Sequence, residues 1–150
     1  DGVLTDGTVL ISENGTLLRK ANMRDGYALK HAVEKGFLIA IISGAKTDSI
    51  RTRFEGLHVH DIYLGVENKL TAFNEFLNKH GLTSNDVLFM GDDIPDYPLM
   101  KESLVATCPN DAAEEIKAVA DYISAYTGGS GCVRDIIEQV MRVQDVWFTP

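Results

Sequence analysis

Apolar residues along this chain follow two spacings that alternate from the first residue to the last. Short apolar runs that end in small or acidic residues predict buried parallel strands. Apolar residues three and four positions apart, such as Leu29, Ala32 and Val33, predict helices with one buried face. The predicted strands are 37–42, 59–64, 87–90, 104–107 and 122–123, and the predicted helices are 27–35, 47–57, 70–80, 94–100, 112–120 and 133–143. The alternation indicates one domain with an open, Rossmann-like α/β fold, mainly a parallel sheet with helices on both faces.

A β-hairpin insertion is predicted near the beginning of the chain. Residues 8–12 and 16–20 are β-prone runs that flank Glu13, Asn14 and Gly15. Asn-Gly between two such runs is a strong hairpin signal. Both strands carry apolar side chains, which need a cover. The cover could be the rest of the domain or another subunit, and the sequence leaves both open.

Three local features complete the expected organisation. Asp25 is a plausible N-cap for the first helix, which Gly36 ends. The glycine-rich stretch 128–131 is expected to be a flexible loop. The tail 147–150 is apolar, and no pattern in the sequence indicates an anchor for it.

Charge and cysteine content narrow the class of protein. The 150 residues carry a net charge of −8, which argues against a broad nucleic-acid or membrane-surface contact. A local group of lysines and arginines could still hold a small phosphorylated substrate. The two cysteines, Cys108 and Cys132, are far apart and are interpreted as reduced core thiols. Reduced thiols are typical of the cytoplasm, which is the expected location. No signal peptide or membrane-spanning run is evident.

The candidate chemistry lies where the predicted strands end. Asp1, Ser43, Lys69 and Asp92 each fall just past a strand or on the loop beside it. In open α/β sheets, ligands bind outside the carboxyl ends of the strands. Taken singly, these residues could be a helix cap, a turn residue or a surface lysine. Their convergence at successive strand ends carries the functional prediction.

A cluster of carboxylates at this edge would repel itself without a cation. Asp1, Asp92, Asp93 and Asp96 offer oxygen ligands of the kind that Mg²⁺ prefers. A hydroxyl and an ammonium facing that metal would complete a clamp around a phosphoryl group. The pattern therefore predicts Mg²⁺-dependent phosphoryl transfer.

The motifs of this chain resemble those of the haloacid dehalogenase superfamily of phosphatases. The resemblance rests on residues 1–7, residues 41–44, Lys69 and residues 91–93, in that order. More narrowly, the chain is similar to the capless 3-deoxy-D-manno-octulosonate 8-phosphate phosphatases, which also have a hairpin and an Asn-x-Arg-Asp-Gly stretch. The resemblance implies a phosphatase of this fold that hydrolyses an acid-sugar phosphate through an aspartyl-phosphate. It also implies a homotetramer assembled through the hairpins, with no nucleic-acid or membrane partner.

The resemblance further implies a role for individual residues. Asp1 matches the general acid/base and also a metal ligand, through its backbone carbonyl. Ser43 matches the hydroxyl that binds the transferring phosphoryl group, and Lys69 matches the lysine that neutralises it. Asp92, with Asp93 beside it, matches the metal-ligating aspartate. The positions matching substrate contacts are Asn22, Met23, Arg24, Asp25, Gly26, Lys30, Arg53 and Lys69.

Three departures from the family pattern affect the interpretation. The nucleophilic aspartate should lie two residues before Asp1, and neither it nor its strand is among the 150 residues. We therefore expect this sequence to be an incomplete record of a working enzyme. Ala45 and Ser130 stand where relatives often have arginine, which leaves recognition of the substrate carboxylate open.

Two alternatives follow from these departures. One is a phosphatase of the same fold acting on a nonulosonate 9-phosphate. The other is a non-catalytic tetramerisation domain, although a scaffold has no use for Ser43, Lys69 and Asp92 together.

Overall fold

Short strands alternate with helices along the chain, as the hydrophobic pattern predicts. The computed structural model describes residues 1–148. Its strands are β1 Leu10–Ile11, β2 Leu17–Leu18, β3 Ala40–Ile42, β4 Asp61–Tyr63, β5 Leu88–Met90, β6 Val105–Cys108 and β7 Tyr122–Ile123. Its α-helices are α1 Met23–Glu34, α2 Asp48–Glu55, α3 Lys69–His80, α4 Tyr97–Glu102, α5 Glu114–Lys117 and α6 Cys132–Val143. Two 3₁₀ turns, Ser84–Asp86 and Ile94–Asp96, precede β5 and α4.

The side chains of β3 alternate between two layers of helices. Ile41 packs against the core cluster that contains Leu29 of α1. Ile42, its neighbour, packs on the opposite side against the cluster around Phe73 of α3. This period of two is the pattern of a strand covered on both faces. The expected layers of helices on both faces of the sheet are confirmed.

The central strands form two parallel pieces rather than one continuous sheet. Strand β3 pairs with β4, and β5, β6 and β7 form a second parallel set. Within residues 1–148 no strand pairing joins β3 to β5. A cavity of about 540 Å³ is bordered by both of these strands. The predicted sheet is therefore parallel but divided, and the cavity lies along the division.

The predicted hairpin is present and is exposed. Strands β1 and β2 pair antiparallel, with Leu10 opposite Leu18 and Ile11 opposite Leu17. Leu10 and Ile11 are 68% and 67% exposed, whereas Leu17 and Leu18 are 41% and 51% exposed and border the cavity of the domain. Packing on its own domain, one of the two covers considered, therefore covers β2 in part and leaves β1 exposed.

The first helix begins earlier than predicted and has a different cap. The backbone N–H groups of Arg24 and Asp25 donate to the Asn22 side chain, which makes Asn22 the N-cap. The prediction that Asp25 caps this helix is therefore wrong. Asp25 is buried, and its Oδ1 accepts from the backbone N–H of Arg134 in the first turn of α6. It stabilises the start of a different helix.

The loop 128–131 is packed against the opening loop, contrary to the expectation of a flexible segment. The Gly128 N–H donates to Asp111 Oδ1 at 2.8 Å. The Gly129 N–H donates to the carbonyl of Val3 at 2.9 Å. These bonds fix the loop beside residues 1–7.

The tail is anchored through Trp147, by contacts that no sequence pattern indicated. Trp147 is buried, and its carbonyl accepts from His31 Nε2 at 2.7 Å. Its ring also lies beneath the guanidinium of Arg134, 5.3 Å from the ring centroid. Residues 149–150 lie outside the described part of the chain.

Both cysteines are free and buried, as predicted. Among the described residues, no helix combines the length and the apolar character needed to cross a membrane.

Candidate active site

The opening loop places the backbone of residues 1 and 2 directly against the Asp92 carboxylate. Gly2 has a φ of +77°, and a Cβ at this position would lie 1.8 Å from Asp92 Oδ2. Only glycine allows this approach, because any side chain would displace the carboxylate. The sequence therefore brings a carboxylate and the Asp1–Gly2 peptide together at the end of β5.

The Asp1 side chain is held by two donors. Arg19 Nε donates to Asp1 Oδ1 at 2.7 Å, and Thr5 Oγ1 donates to the same oxygen at 3.1 Å. Arg19 follows strand β2 of the hairpin, so the hairpin segment reaches the opening loop. The sequence around Arg19 indicates no role for it, because nothing local distinguishes it from a solvated hairpin cation.

Ser43 occupies the carboxyl end of β3, where it was predicted. It is buried and borders the cavity. Its N–H donates to the carbonyl of Tyr63 on β4, and its Oγ accepts from the N–H of Ala45. Because the Oγ accepts here, its hydrogen is available for donation to a ligand.

Lys69 begins α3 and forms a short ion pair with Asp96. The Lys69 Nζ to Asp96 Oδ1 distance is 2.6 Å, and the Asp96 side chain is 5% exposed against 19% for Lys69. The other carboxylate oxygen, Asp96 Oδ2, accepts from the Asp92 N–H at 3.0 Å. Asp96 thus connects Lys69 to Asp92, which lies two positions after β5. From the sequence, Asp96 was expected only as a member of the carboxylate cluster, and its pairing with Lys69 was not predicted.

Burial and charge raise the pKa of Asp92. Burial is the larger cause and the nearby Asp96 carboxylate adds to it, while the Lys69 ammonium opposes them, so that the pKa is about 6. A cation beside the Asp92 carboxyl would stabilise its charged form, which burial and Asp96 disfavour.

Asp93 has a different environment from Asp92. It is exposed, and its Oδ1 accepts from the Ile94 N–H at 2.8 Å as the N-cap of the following 3₁₀ turn. The structure gives Asp93 a capping role and does not place it among the residues that border the cavity.

The predicted substrate contacts separate into two groups. Arg53 and Lys69 border the cavity together with Asp1, Ser43 and Asp92. The others, which do not border it, are Asn22, Met23, Arg24, Asp25, Gly26 and Lys30. All of these lie at the start of α1 or on it.

The residues of the second group have local or packing roles in the single chain. Asn22 caps α1, and its Nδ2 donates to the carbonyl of Gly129. Gly26 makes room for Arg53, whose Nη2 would lie 2.6 Å from a Cβ at that position. Met23, Arg24 and Lys30 are exposed on the surface of α1.

The donor set at the cavity suits a magnesium ion. Within residues 1–148 no group of three or more His, Cys, Asp or Glu side chains has metal-binding geometry. Mg²⁺ does not need such a cage, because it keeps several waters and takes one or two carboxylates together with substrate phosphate. The Asp92 carboxylate against the Asp1–Gly2 backbone offers that kind of site.

Comparisons with known proteins identify the family of this chain. A model of the haloacid dehalogenase-like hydrolase family matches residues 59–136. The 3-deoxy-D-manno-octulosonate 8-phosphate phosphatase KdsC of Escherichia coli strain K12 is 34% identical over 144 residues, which cover 96% of this chain and 77% of that protein.

Solved structures give the same result. The corresponding phosphatase of Yersinia pestis is 29% identical with a TM-score of 0.95, over 98% of this chain and 80% of that chain. That of Moraxella catarrhalis, in complex with magnesium, phosphate and 3-deoxy-D-manno-octulosonate (KDO), is 31% identical with a TM-score of 0.94, over 98% and 84%. The chain belongs to the haloacid dehalogenase-like hydrolases, in the family of the 3-deoxy-D-manno-octulosonate 8-phosphate phosphatases.

Proposed function

We propose that this protein is a Mg²⁺-dependent phosphatase that hydrolyses 3-deoxy-D-manno-octulosonate 8-phosphate through an aspartyl-phosphate. The observation that carries the proposal is the convergence of Ser43, Lys69, Asp1 and Asp92 around one cavity at the carboxyl ends of the strands. A hydroxyl donor, an ammonium, a proton-transfer carboxyl and a metal-binding carboxylate are the parts that phosphoryl transfer needs.

Asp92 and the backbone carbonyl of Asp1 would hold the metal ion. When bound, Mg²⁺ supplies positive charge that offsets the charge of the phosphoryl oxygens. Asp92→Ala should therefore abolish Mg²⁺-dependent hydrolysis and Mg²⁺ binding by calorimetry while the circular dichroism spectrum is unchanged. Retained activity would remove Asp92 from the site.

The nucleophile would come from a strand between β3 and β5. The family motif places an aspartate two residues before Asp1, and the cavity of about 540 Å³ separates the two strands that such a segment would join. A parallel strand here would pair with both neighbours and deliver its carboxylate beside Ser43 and Lys69. We therefore regard residues 1–150 as one phosphatase domain.

The other residues would act on the phosphate and the leaving group. The Ser43 hydroxyl donates to a phosphoryl oxygen, and the Lys69 ammonium neutralises the phosphoryl group and the nucleophile. The carboxyl of Asp1 gives its proton to the ester oxygen as the P–O bond breaks. As a carboxylate it then takes a proton from the water that attacks the aspartyl-phosphate.

We further propose a homotetramer assembled through the hairpins. The exposed apolar residues of β1 and β2 supply a surface that needs a cover. A neighbouring subunit would also bring the exposed residues of α1, such as Met23 and Arg24, to a second site. Light scattering should give a tetramer, and Leu10→Glu should reduce its mass. A monomer at micromolar concentration would contradict this assembly.

We infer a cytoplasmic location from the two reduced thiols, which are buried and unpaired.

The choice of substrate is tested by a panel of sugar phosphates assayed with full-length protein and Mg²⁺. We expect the highest kcat/KM for 3-deoxy-D-manno-octulosonate 8-phosphate. Ala45 and Ser130, which lack the cation of many relatives, favour one second candidate, a nonulosonate 9-phosphate. A preference for the nine-carbon substrate would support that alternative, and no hydrolysis of any member would support a non-catalytic assembly domain.

A further inference from the structure

Only one of the two carboxylate oxygens of Asp1 accepts hydrogen bonds from residues in the described part of the chain. Arg19 Nε and Thr5 Oγ1 both donate to Oδ1. No residue in the described part of the chain donates a hydrogen bond to Oδ2. Asp1, Thr5 and Arg19 all border the cavity. The two donors therefore fix the carboxylate and leave one oxygen for chemistry.

The Arg19 side chain is mostly buried although it directly follows an exposed hairpin strand. Its side chain is 14% exposed, whereas Leu17 and Leu18 just before it are 41% and 51% exposed. Fixing an arginine side chain has one of the largest entropic costs of any residue. Lys20, the next residue, forms no ion pair within residues 1–148. A short charge-assisted bond to Asp1 offsets the cost for Arg19 and gives it a defined direction.

We propose that Arg19 is a positioning residue for the acid/base function of Asp1. The inference rests on the proposed function, in which Asp1 transfers protons. Such transfer requires the carboxyl oxygen within about 2.6–3.2 Å of the accepting or donating atom. An aspartate anchored only by the Thr5 hydroxyl would rotate about χ1 and χ2 and spend less time in that geometry. Arg19 restricts the rotation without contacting the reacting atoms.

The test compares Arg19→Gln, Arg19→Lys and the parent in the full-length enzyme with Mg²⁺. For the sugar phosphate, Arg19→Gln should lower kcat by roughly ten- to a hundredfold with little change in KM, the scale for a misplaced proton-transfer group. Arg19→Lys should recover part of this loss, since an ammonium can still donate to Oδ1. Arg142→Gln removes the same charge from an exposed Glu138 pair on α6 and is the matched control.

A double variant separates positioning from substrate binding. In an Asp1→Asn background, single-turnover transfer of phosphate from the sugar should be slow, and adding Arg19→Gln should slow it no further. A direct contact between Arg19 and the substrate would instead give the same loss in both backgrounds, or a raised KM. Either result would overturn the proposal.

An activated substrate separates positioning from damage to the fold. The leaving group of p-nitrophenyl phosphate needs no proton, so its burst of nitrophenol should be nearly unchanged in Arg19→Gln. An equal loss for both substrates would indicate a structural role and overturn the proposal, as would no loss for either. If the parent protein hydrolyses neither substrate, the proposed function fails before the role of Arg19 is tested.

Discussion

The Lys69–Asp96 pair gives a stability prediction that needs no substrate. In Asp96→Asn the side chain keeps its shape but loses its charge. The aspartate accepts from both Lys69 Nζ at 2.6 Å and the Asp92 N–H at 3.0 Å. An asparagine has one amide oxygen and one NH₂ group, so it can accept from only one of these donors. Its NH₂ group must then face the other donor.

The size of the effect follows from the burial of the two partners. Removing one member of a fully buried ion pair costs about 3–5 kcal/mol, because it leaves the other charge uncompensated. The Lys69 side chain is 19% exposed, so water can solvate part of its ammonium. We therefore expect the free energy of unfolding to fall by about 2–3 kcal/mol. For a domain of this size that lowers Tm by roughly 5–10 °C.

Urea unfolding followed by circular dichroism measures this change in the metal-free protein. Asp145→Asn is the matched control. Asp145 is exposed and has a φ of +56°, which asparagine tolerates, so this variant should stay within about 0.5 kcal/mol of the parent. Adding Lys69→Met to Asp96→Asn should cost less than the sum of the two single changes. The reasoning is refuted if Asp96→Asn has the same free energy of unfolding as the parent and the effects of the two changes add in the double variant. In that case water solvates the Lys69 ammonium, and the ion pair does not stabilise the fold.

Three further outcomes are expected. Lys69→Ala should lower kcat by roughly a hundredfold or more, the scale for losing one preorganised charge contact, whereas Arg53→Ala should mainly raise KM. Steady-state kinetics test the difference, and a change in KM alone for Lys69→Ala would contradict its assignment. Gly2→Ala should weaken Mg²⁺ binding measured by calorimetry, because its Cβ would displace the Asp92 carboxylate. Gly15→Ala is its control, since Gly15 has a similar φ of +79° with no atom within 4 Å of a Cβ, and equal losses would point to backbone strain. The raised pKa of Asp92, about 6, means that this carboxyl favours folding at low pH and that its contribution is lost as the pH rises to that value. Metal-free Asp92→Asn should therefore lose less stability than the parent as the pH rises from roughly pH 4 to pH 6, and parallel losses would contradict the shift.

The hydrophobic pattern was sufficient for the elements and for the edge at which the site lies. Periods of two and of three to four residues reflect local backbone geometry, so strands and helices can be predicted from the residues that form them. Chain order then fixes which residues follow each strand. Because parallel strands end at one edge, Ser43, Lys69 and Asp92 were expected near one another before any contact was known.

The sequence rules for helix N-caps gave the wrong residue for α1, because two nearby residues have the same capping propensity. Asn22 and Asp25 are both good N-caps, and the sequence offered no reason to prefer the first. The structure uses the Asp25 carboxylate at the start of α6, where it accepts from Arg134, 109 positions away. A carboxylate that satisfies a distant helix end is not available to its own.

What the sequence determined by itself was therefore the set of elements, their parallel arrangement and the residue types that meet at the strand ends. What only the tertiary structure decided was which of those residues hold one another. Arg19 meets Asp1 across 18 positions, Lys69 meets Asp96 across 27, and His31 meets Trp147 across 116. These contacts depend on distances and burial that exist only after the elements have packed. A periodic pattern records which face of an element is buried, but it contains no information about the partner that a polar side chain finds there.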